Sequence, residues 1–189
     1  MRILIVTSGL AALLAFHNAV TRYGYALGRE SVIPRRLGTV HPVHRSPQVA
    51  SVAQSALAAL VVVAFGLAGT DPIIQMAAWT ASAGTIGVIA LQALTAFSVA
   101  AFFGRGRGPR ETPTAAIGLL GGLLLTGAVA LIVRYIELAT LTEDAVTNAV
   151  IVAIPVTVFA GGVAYGLYLR HTRPTVYDGL GSTNVDEAL

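Results

Sequence analysis

The sequence predicts an all-α integral membrane fold with about five transmembrane helices. Two features of composition and one of patterning carry this. Of the 189 residues, 55% are hydrophobic and only 11% are charged, against about 25% charged in an ordinary soluble domain. Mean hydropathy is +0.75. The charges gather in short clusters, and between them lie apolar runs of about the 20 residues that a bilayer core requires. None of these runs alternates with period two, which argues against a membrane barrel.

The elements follow in order. A first span covers residues 3–27. Met1 and Arg2 precede it as they would a signal peptide, but the run is long, no convincing cleavage site follows, and further spans come after. It therefore reads as a transmembrane helix. A basic loop follows, with Arg29, Arg35, Arg36, His41, His44 and Arg45. The second span covers 49–67. A tight Gly69-Thr70-Asp71-Pro72 turn leads into the third, 73–103, where Pro72 suits a first helical turn because its missing N–H would be unpaired there anyway. Ser82 to Gly87 is a candidate kink in that span. A Gly/Arg-rich loop, Gly104 to Arg110, precedes the fourth span, 115–136. An acidic connection, Glu137 to Asp144, precedes the fifth, 145–169. Residues 1–170 thus form the transmembrane region and 171–189 a polar tail.

Orientation follows from arginine. All twelve basic side chains are Arg, and there is no Lys or Cys. The loops after spans one and three and the tail are basic, whereas the other two connections carry Asp71 and then Glu137, Glu143 and Asp144. The basic sides should be cytoplasmic. The expectation is a multi-pass protein of the cell membrane, N-terminus outside and C-terminus cytoplasmic, with the lipid bilayer as its first partner. The arginines sit at span ends with few aromatics beside them, so they are read as orienting charges and not as a nucleic-acid surface. Without cysteine, thiolate metal sites and disulfides are excluded. No Gly-Lys-Ser/Thr phosphate loop, HExxH helix or GxSxG elbow is present, so no enzyme is expected and no organic cofactor is implied.

Span one is the informative element. Ser8, Ala11, Ala15, Asn18, Arg22, Tyr25 and Arg29 recur three or four residues apart, a stripe of small and polar side chains on one helix face. An unpaired polar group in hydrocarbon costs several kcal/mol, so this face should meet protein or water. It either lines a solute path or hydrogen-bonds neighbouring helices. Asn18, Arg22 and Arg29 are the pore-facing or gating candidates, joined by Gln92 in span three, whose amide should face the bundle. His17 lies about 100° around the helix from Asn18; it could relay protons or bond a neighbouring helix. Thr7 and Ser8 are adjacent hydroxyls suited to a hard cation such as Na⁺, or simply satisfied by their own helix. Arg134 and Glu137, three apart, are expected to form a local ion pair. Gly118, Gly121 and Gly122 in span four, and Gly162 and Gly166 in span five, suit close helix contacts.

The segment from Ser8 to Pro47 resembles a known family. Asn18-x3-Arg22, Ala26-Leu27-Gly28-Arg29-Glu30, Ile33-Pro34, Val40-His41-Pro42 and Ser46-Pro47 resemble the APC superfamily of amino-acid permeases over about 40 residues; beyond them the match is in helix count and topology. The resemblance implies a partial inverted-repeat, leucine-transporter-type fold in which this chain supplies helices eight to twelve of twelve. It implies amino-acid transport driven by H⁺ or Na⁺, with Thr7 and Ser8 near the position where sodium-driven relatives bind their coupling ion. The broken first and sixth helices that hold substrate in the family have no counterpart here. The expectation is therefore a C-terminal fragment, not competent alone, needing an N-terminal half to bind its amino-acid substrate. The alternative is a small multi-span scaffold or one subunit of a split transporter.

Overall fold

The computed structural model describes residues 2–106 and 111–181, and every described regular element is helical. Helix α1 runs Arg2–Arg29, α2 Gln48–Leu67, α3 Ala78–Gly104, α4 Glu111–Arg134, α5 Ile136–Thr140, α6 Ala145–Thr172 and α7 Pro174–Asp178. A 3-10 turn, Arg35–Gly38, follows α1, and a π-helical turn, Pro72–Ala77, leads into α3. Five of these segments are long and apolar enough to cross a bilayer: Ile3–Arg29, Gln48–Leu67, Ile74–Gly104, Thr112–Arg134 and Ala145–Thr172. Their apolar side chains are largely exposed, Ile3 at 78% and Leu67 at 85% among them. Such a surface is tolerated in hydrocarbon and not in water. The chain is a multi-pass helical membrane protein. Arg107 to Arg110 of the Gly/Arg loop and tail residues 182–189 lie outside the described residues.

The chain divides into two compact units, residues 1–64 with 163–189, and residues 65–162. In the first unit the end of α1 is locked against the loop that follows. Gly28 and Gly38 meet backbone to backbone: a Cβ on Gly28 would collide with the Gly38 amide nitrogen and lie 2.9 Å from the Leu37 carbonyl carbon. Only a residue without Cβ fits such an approach. Tyr25 is fully buried and Leu169 is 2% exposed, so both anchor this unit. The Tyr165 hydroxyl donates to the Val32 carbonyl at 2.7 Å, and the Gly181 amide donates to Glu30 Oε1 at 3.0 Å. The His41-Pro42-Val43-His44 turn is closed from within. His41 Nδ1 accepts the backbone N–H groups of Val43 and His44, each at 3.2 Å, and the two imidazoles stack at 4.9 Å.

The second unit starts where α2 stops. The Gly69 amide donates to Gly66 O at 3.1 Å and Thr70 to Phe65 O at 3.3 Å, with Gly69 left-handed at φ +67. This is a Schellman end, which satisfies two orphan carbonyls. Asp71 then caps the next helix: its Oδ1 accepts the Ile74 amide at 2.6 Å, while Gln75 Oε1 accepts the Asp71 amide at 2.8 Å. The reciprocal pair resembles a capping box whose return arm sits one residue later, as the wider π-helical turn requires. Helical structure is unbroken through Ser82–Gly87, so the irregularity falls at Pro72–Ala77 and not at the expected kink.

Helices α3 and α4 pack closely through Gly118 and Gly122. A Cβ at Gly118 would stand 3.0 Å from Ala96 O and Ala100 N, and one at Gly122 2.6 Å from the Phe97 ring. Gly118-x3-Gly122 is thus the small-residue motif that this unit uses; Gly121 faces open space. Helix α4 ends at Arg134, because Tyr135 leaves helical geometry at φ −117, ψ 36. That break corrects one expectation. Arg134 and Glu137 form no ion pair among the described residues; the guanidinium lies 5.8 Å from the Tyr135 ring centroid instead. The spacing of three favours a pair only on a continuous helix. Pro155 interrupts the hydrogen bonding of α6 without ending it, and a Cβ on Gly87 would touch it at 3.6 Å.

Helix α6 begins on a well-formed cap. Asp144 Oδ2 accepts the Thr147 amide at 2.8 Å and the Thr147 hydroxyl at 2.5 Å. The Thr147 hydroxyl first, and then its amide, hold the Asp144 carboxyl below its ordinary pKa. A depressed native pKa stabilises at pH above the unfolded value, and this contribution disappears as pH falls through the native value. Asp144→Ala is expected to fray the first turn of α6 at neutral pH, read as faster amide exchange over residues 145–149, and to make no difference well below the carboxylate range. Equal exchange in wild type and variant at neutral pH would show that the cap does not hold this turn.

Candidate functional site

Helix α1 presents its polar stripe as the spacing requires, but the stripe changes character along its length. At the first end, the Thr7 hydroxyl donates to Ile3 O at 2.9 Å, within reach of Leu4 O at 3.2 Å, and the Ser8 hydroxyl donates to Ile5 O at 3.0 Å. Both side chains are exposed, and among the described residues their hydrogen bonds stay within α1. At the other end, Tyr25 is buried and its hydroxyl accepts from Arg29 Nη1 at 3.3 Å, with the guanidinium 6.0 Å from the ring centroid. Arg29 therefore braces the end of its own helix.

Between these ends, α1 meets the start of α2. His17 Nε2 and Ser51 Oγ share a hydrogen bond of 2.9 Å, and the Thr21 hydroxyl donates to Gln54 Oε1 at 3.2 Å. Of the two roles open to His17, the bond to a neighbouring helix is the one the structure displays. Thr21 is 6% exposed, so its hydroxyl has no water to fall back on. Thr21→Val leaves the Gln54 oxygen without its donor and is expected to cost about 1 kcal/mol. Unfolding in a denaturing-detergent titration reads this, and an unchanged midpoint would mean the bond contributes nothing.

Beside these ties lies a polar cleft of about 360 Å³, lined by Asn18, Thr21, Arg22, Ser46, Gln48 and Ser51, with Pro47 at its wall. Two of the residues singled out from the sequence, Asn18 and Arg22, therefore meet in one cleft. Thr7 and Ser8 belong to the far end of α1, and Arg29 lies about two helical turns beyond Arg22. Gln92 sits in the second unit, exposed on α3. The α2 contribution was not anticipated. Its signal was present as polar residues at Gln48, Ser51 and Gln54, three apart at the start of an otherwise apolar helix.

Among the described residues, the lining has one permanent cation, several hydroxyl and amide groups, and no carboxylate. Such a set can bind an anion or a polar solute; it offers no acid–base pair for catalysis. Among the described residues no group of three or more His, Cys, Asp or Glu could hold a metal ion. Another hollow, apolar and between Leu123 and Arg134 on α4, offers a polar ligand the Arg134 side chain alone among the described residues. No family model matches this chain, and no match is found among curated proteins or among solved structures.

Proposed function

We propose that the chain is the C-terminal part of an amino-acid permease, helices eight to twelve of a twelve-helix inverted-repeat transporter in the cell membrane. In this reading the basic loops are cytoplasmic and Met1 lies outside. One observation carries the proposal: Asn18 and Gln92 lie within membrane spans with exposed amides and no hydrogen bond among the described residues. In hydrocarbon the mid-span Gln92 amide costs several kcal/mol, and Asn18, nearer the basic end of its span, also needs polar groups that the described helices do not supply, so further polar elements are called for. The family-like run from Asn18 to Pro47 supports reading those elements as the other helices of the transporter. Thr7 and Ser8 suit a coupling Na⁺ in the same reading, because a hydroxyl that donates to its own helix keeps its lone pairs for a cation; H⁺ is the other coupling ion.

The rival is a multi-span scaffold or a split-transporter subunit. It is favoured by Gly162 and Gly166 of α6, where an added Cβ would meet nothing within 4 Å. The test is uptake of a labelled amino-acid mixture by cells expressing this chain alone, or together with the segment translated from the DNA upstream of Met1. Uptake only in the combination is expected. An upstream segment without membrane spans, with no uptake in either case, overturns the permease reading and leaves the scaffold.

A further inference from the structure

We infer that the cleft beside Arg22 binds a phosphate-bearing anion, the headgroup of an anionic phospholipid at the basic face of the membrane. The inference goes beyond the transport reading and stands without it. It starts from the position of the cleft. Arg22 lies seven residues before Arg29, about 10 Å along α1. Opposite it are Ser46 and Gln48, where the loop enters the first turn of α2. A cleft that joins the last turns of one span to the first turn of the next lies at the boundary between hydrocarbon and water, where phosphate groups reside.

The chemistry of the lining points the same way. Arg22 supplies a guanidinium, and Asn18 and Gln48 supply amide N–H₂ groups. Ser46 adds a hydroxyl. Among the described residues that line the cleft there is no carboxylate. A guanidinium has five donors in a planar fork that fits phosphate oxygens, so a ligand can be added to whatever contact Arg22 already makes. The Asn18 amide is exposed and has no hydrogen bond among the described residues, and its two donors add to the same acceptor. A space of about 360 Å³ admits a phosphate and part of a headgroup, with the acyl chains left outside in the bilayer. The basic loop below, with Arg35, Arg36 and Arg45 all exposed, raises the local concentration of anionic lipid.

The experiment uses the full chain in nanodiscs of phosphatidylcholine carrying a small fraction of spin-labelled phosphatidylglycerol. It is run at about 0.5 M salt, where the Debye length falls to about 4 Å and surface attraction is screened. Arg22→Gln is expected to weaken retention of the labelled lipid about tenfold, as loss of a charge-assisted contact should, and Arg22→Lys to restore part of it. Because Arg22 could also support folding, Asn18→Ala serves as the second variant; no bond of the fold is lost with it, and about threefold weaker retention is expected. Arg36→Gln, on the same exposed loop, should stay within about twofold of wild type. Millimolar inorganic phosphate that displaces the label would show a headgroup site also open to the free anion; failure to displace it would show that the lipid is the ligand. Retention unchanged in both Arg22→Gln and Asn18→Ala, or lost equally in Arg36→Gln, overturns the site.

Discussion

Gly28→Ala is expected to cost about 3 kcal/mol, the upper part of the range for an added methyl that has nowhere to go. The reason lies in what the methyl would meet. It would collide with the Gly38 amide nitrogen and press to 2.9 Å on the Leu37 carbonyl carbon. Both are backbone atoms, and neither can rotate away as the end of a side chain could. Gly38 mirrors the constraint, since its own Cβ would stand 2.7 Å from the Gly28 carbonyl carbon. The 3-10 turn must therefore leave α1, and the Glu30–Gly181 and Tyr165–Val32 hydrogen bonds are anchored in the same stretch. Gly9→Ala is the control, because nothing lies within 4 Å of its added methyl. There alanine should gain about 0.5 to 1 kcal/mol through the usual helix preference. Reversible unfolding in mixed detergent micelles compares the two, and proteolysis across residues 33–47 reports the loop directly. Equal and small effects at both positions would mean that the close approach is not a constraint in the folded protein.

The same junction shows what could and could not be read from the sequence. The five spans were legible because a bilayer imposes one dominant requirement, a long apolar run, and each charged cluster marks its end. Their limits were less so. The fourth span was expected to end near Ile136, but Tyr135 breaks the helix and starts a second short one. Nothing in a local pattern of Val133, Arg134, Tyr135 and Ile136 marks a change of dihedral angle, and the Arg134–Glu137 expectation failed with it. Of the glycines, spacing alone could not say which were used. Gly118 and Gly122 take their meaning from Ala96, Phe97 and Ala100 on another helix, and Gly28 takes its meaning from Gly38 ten residues on. The polar stripe of α1 was visible as a helical period, and so Asn18 and Arg22 were found. Their partners Ser46, Gln48 and Ser51 enter only once α2 is laid beside α1, which is a tertiary fact.

The buried polar cluster of the second unit was missed altogether, and it carries the other large prediction. Thr140 is fully buried, and its hydroxyl donates to Asn148 Oδ1 at 2.6 Å, with Ile136 O within reach at 3.0 Å. Asn148, 7% exposed, donates from Nδ2 to Thr142 O at 2.9 Å. The only Trp of the chain, Trp79, donates from Nε1 to Thr140 O at 3.2 Å. The start of α3, the end of α5 and the first turn of α6 are thus tied at one residue. In the sequence these are an unremarkable threonine in a stretch read as a connection and an asparagine at the start of the fifth span. Asn148→Leu removes both ends of its bridge, leaves the buried Thr140 hydroxyl without its Asn148 acceptor and the Thr142 carbonyl without its donor, and is expected to cost about 2 to 3 kcal/mol. Trp79→Phe removes one donor and part of a ring that packs 6.3 Å from Phe65, and is expected to cost about 1 to 2 kcal/mol. Because both variants act on Thr140, the double variant should depart from the sum of the single ones by at least about 0.5 kcal/mol. Independent supports would instead add. Strict additivity in the same detergent titration would therefore show that Trp79 and Asn148 hold separate parts of the unit, and that Thr140 is not the residue that joins them.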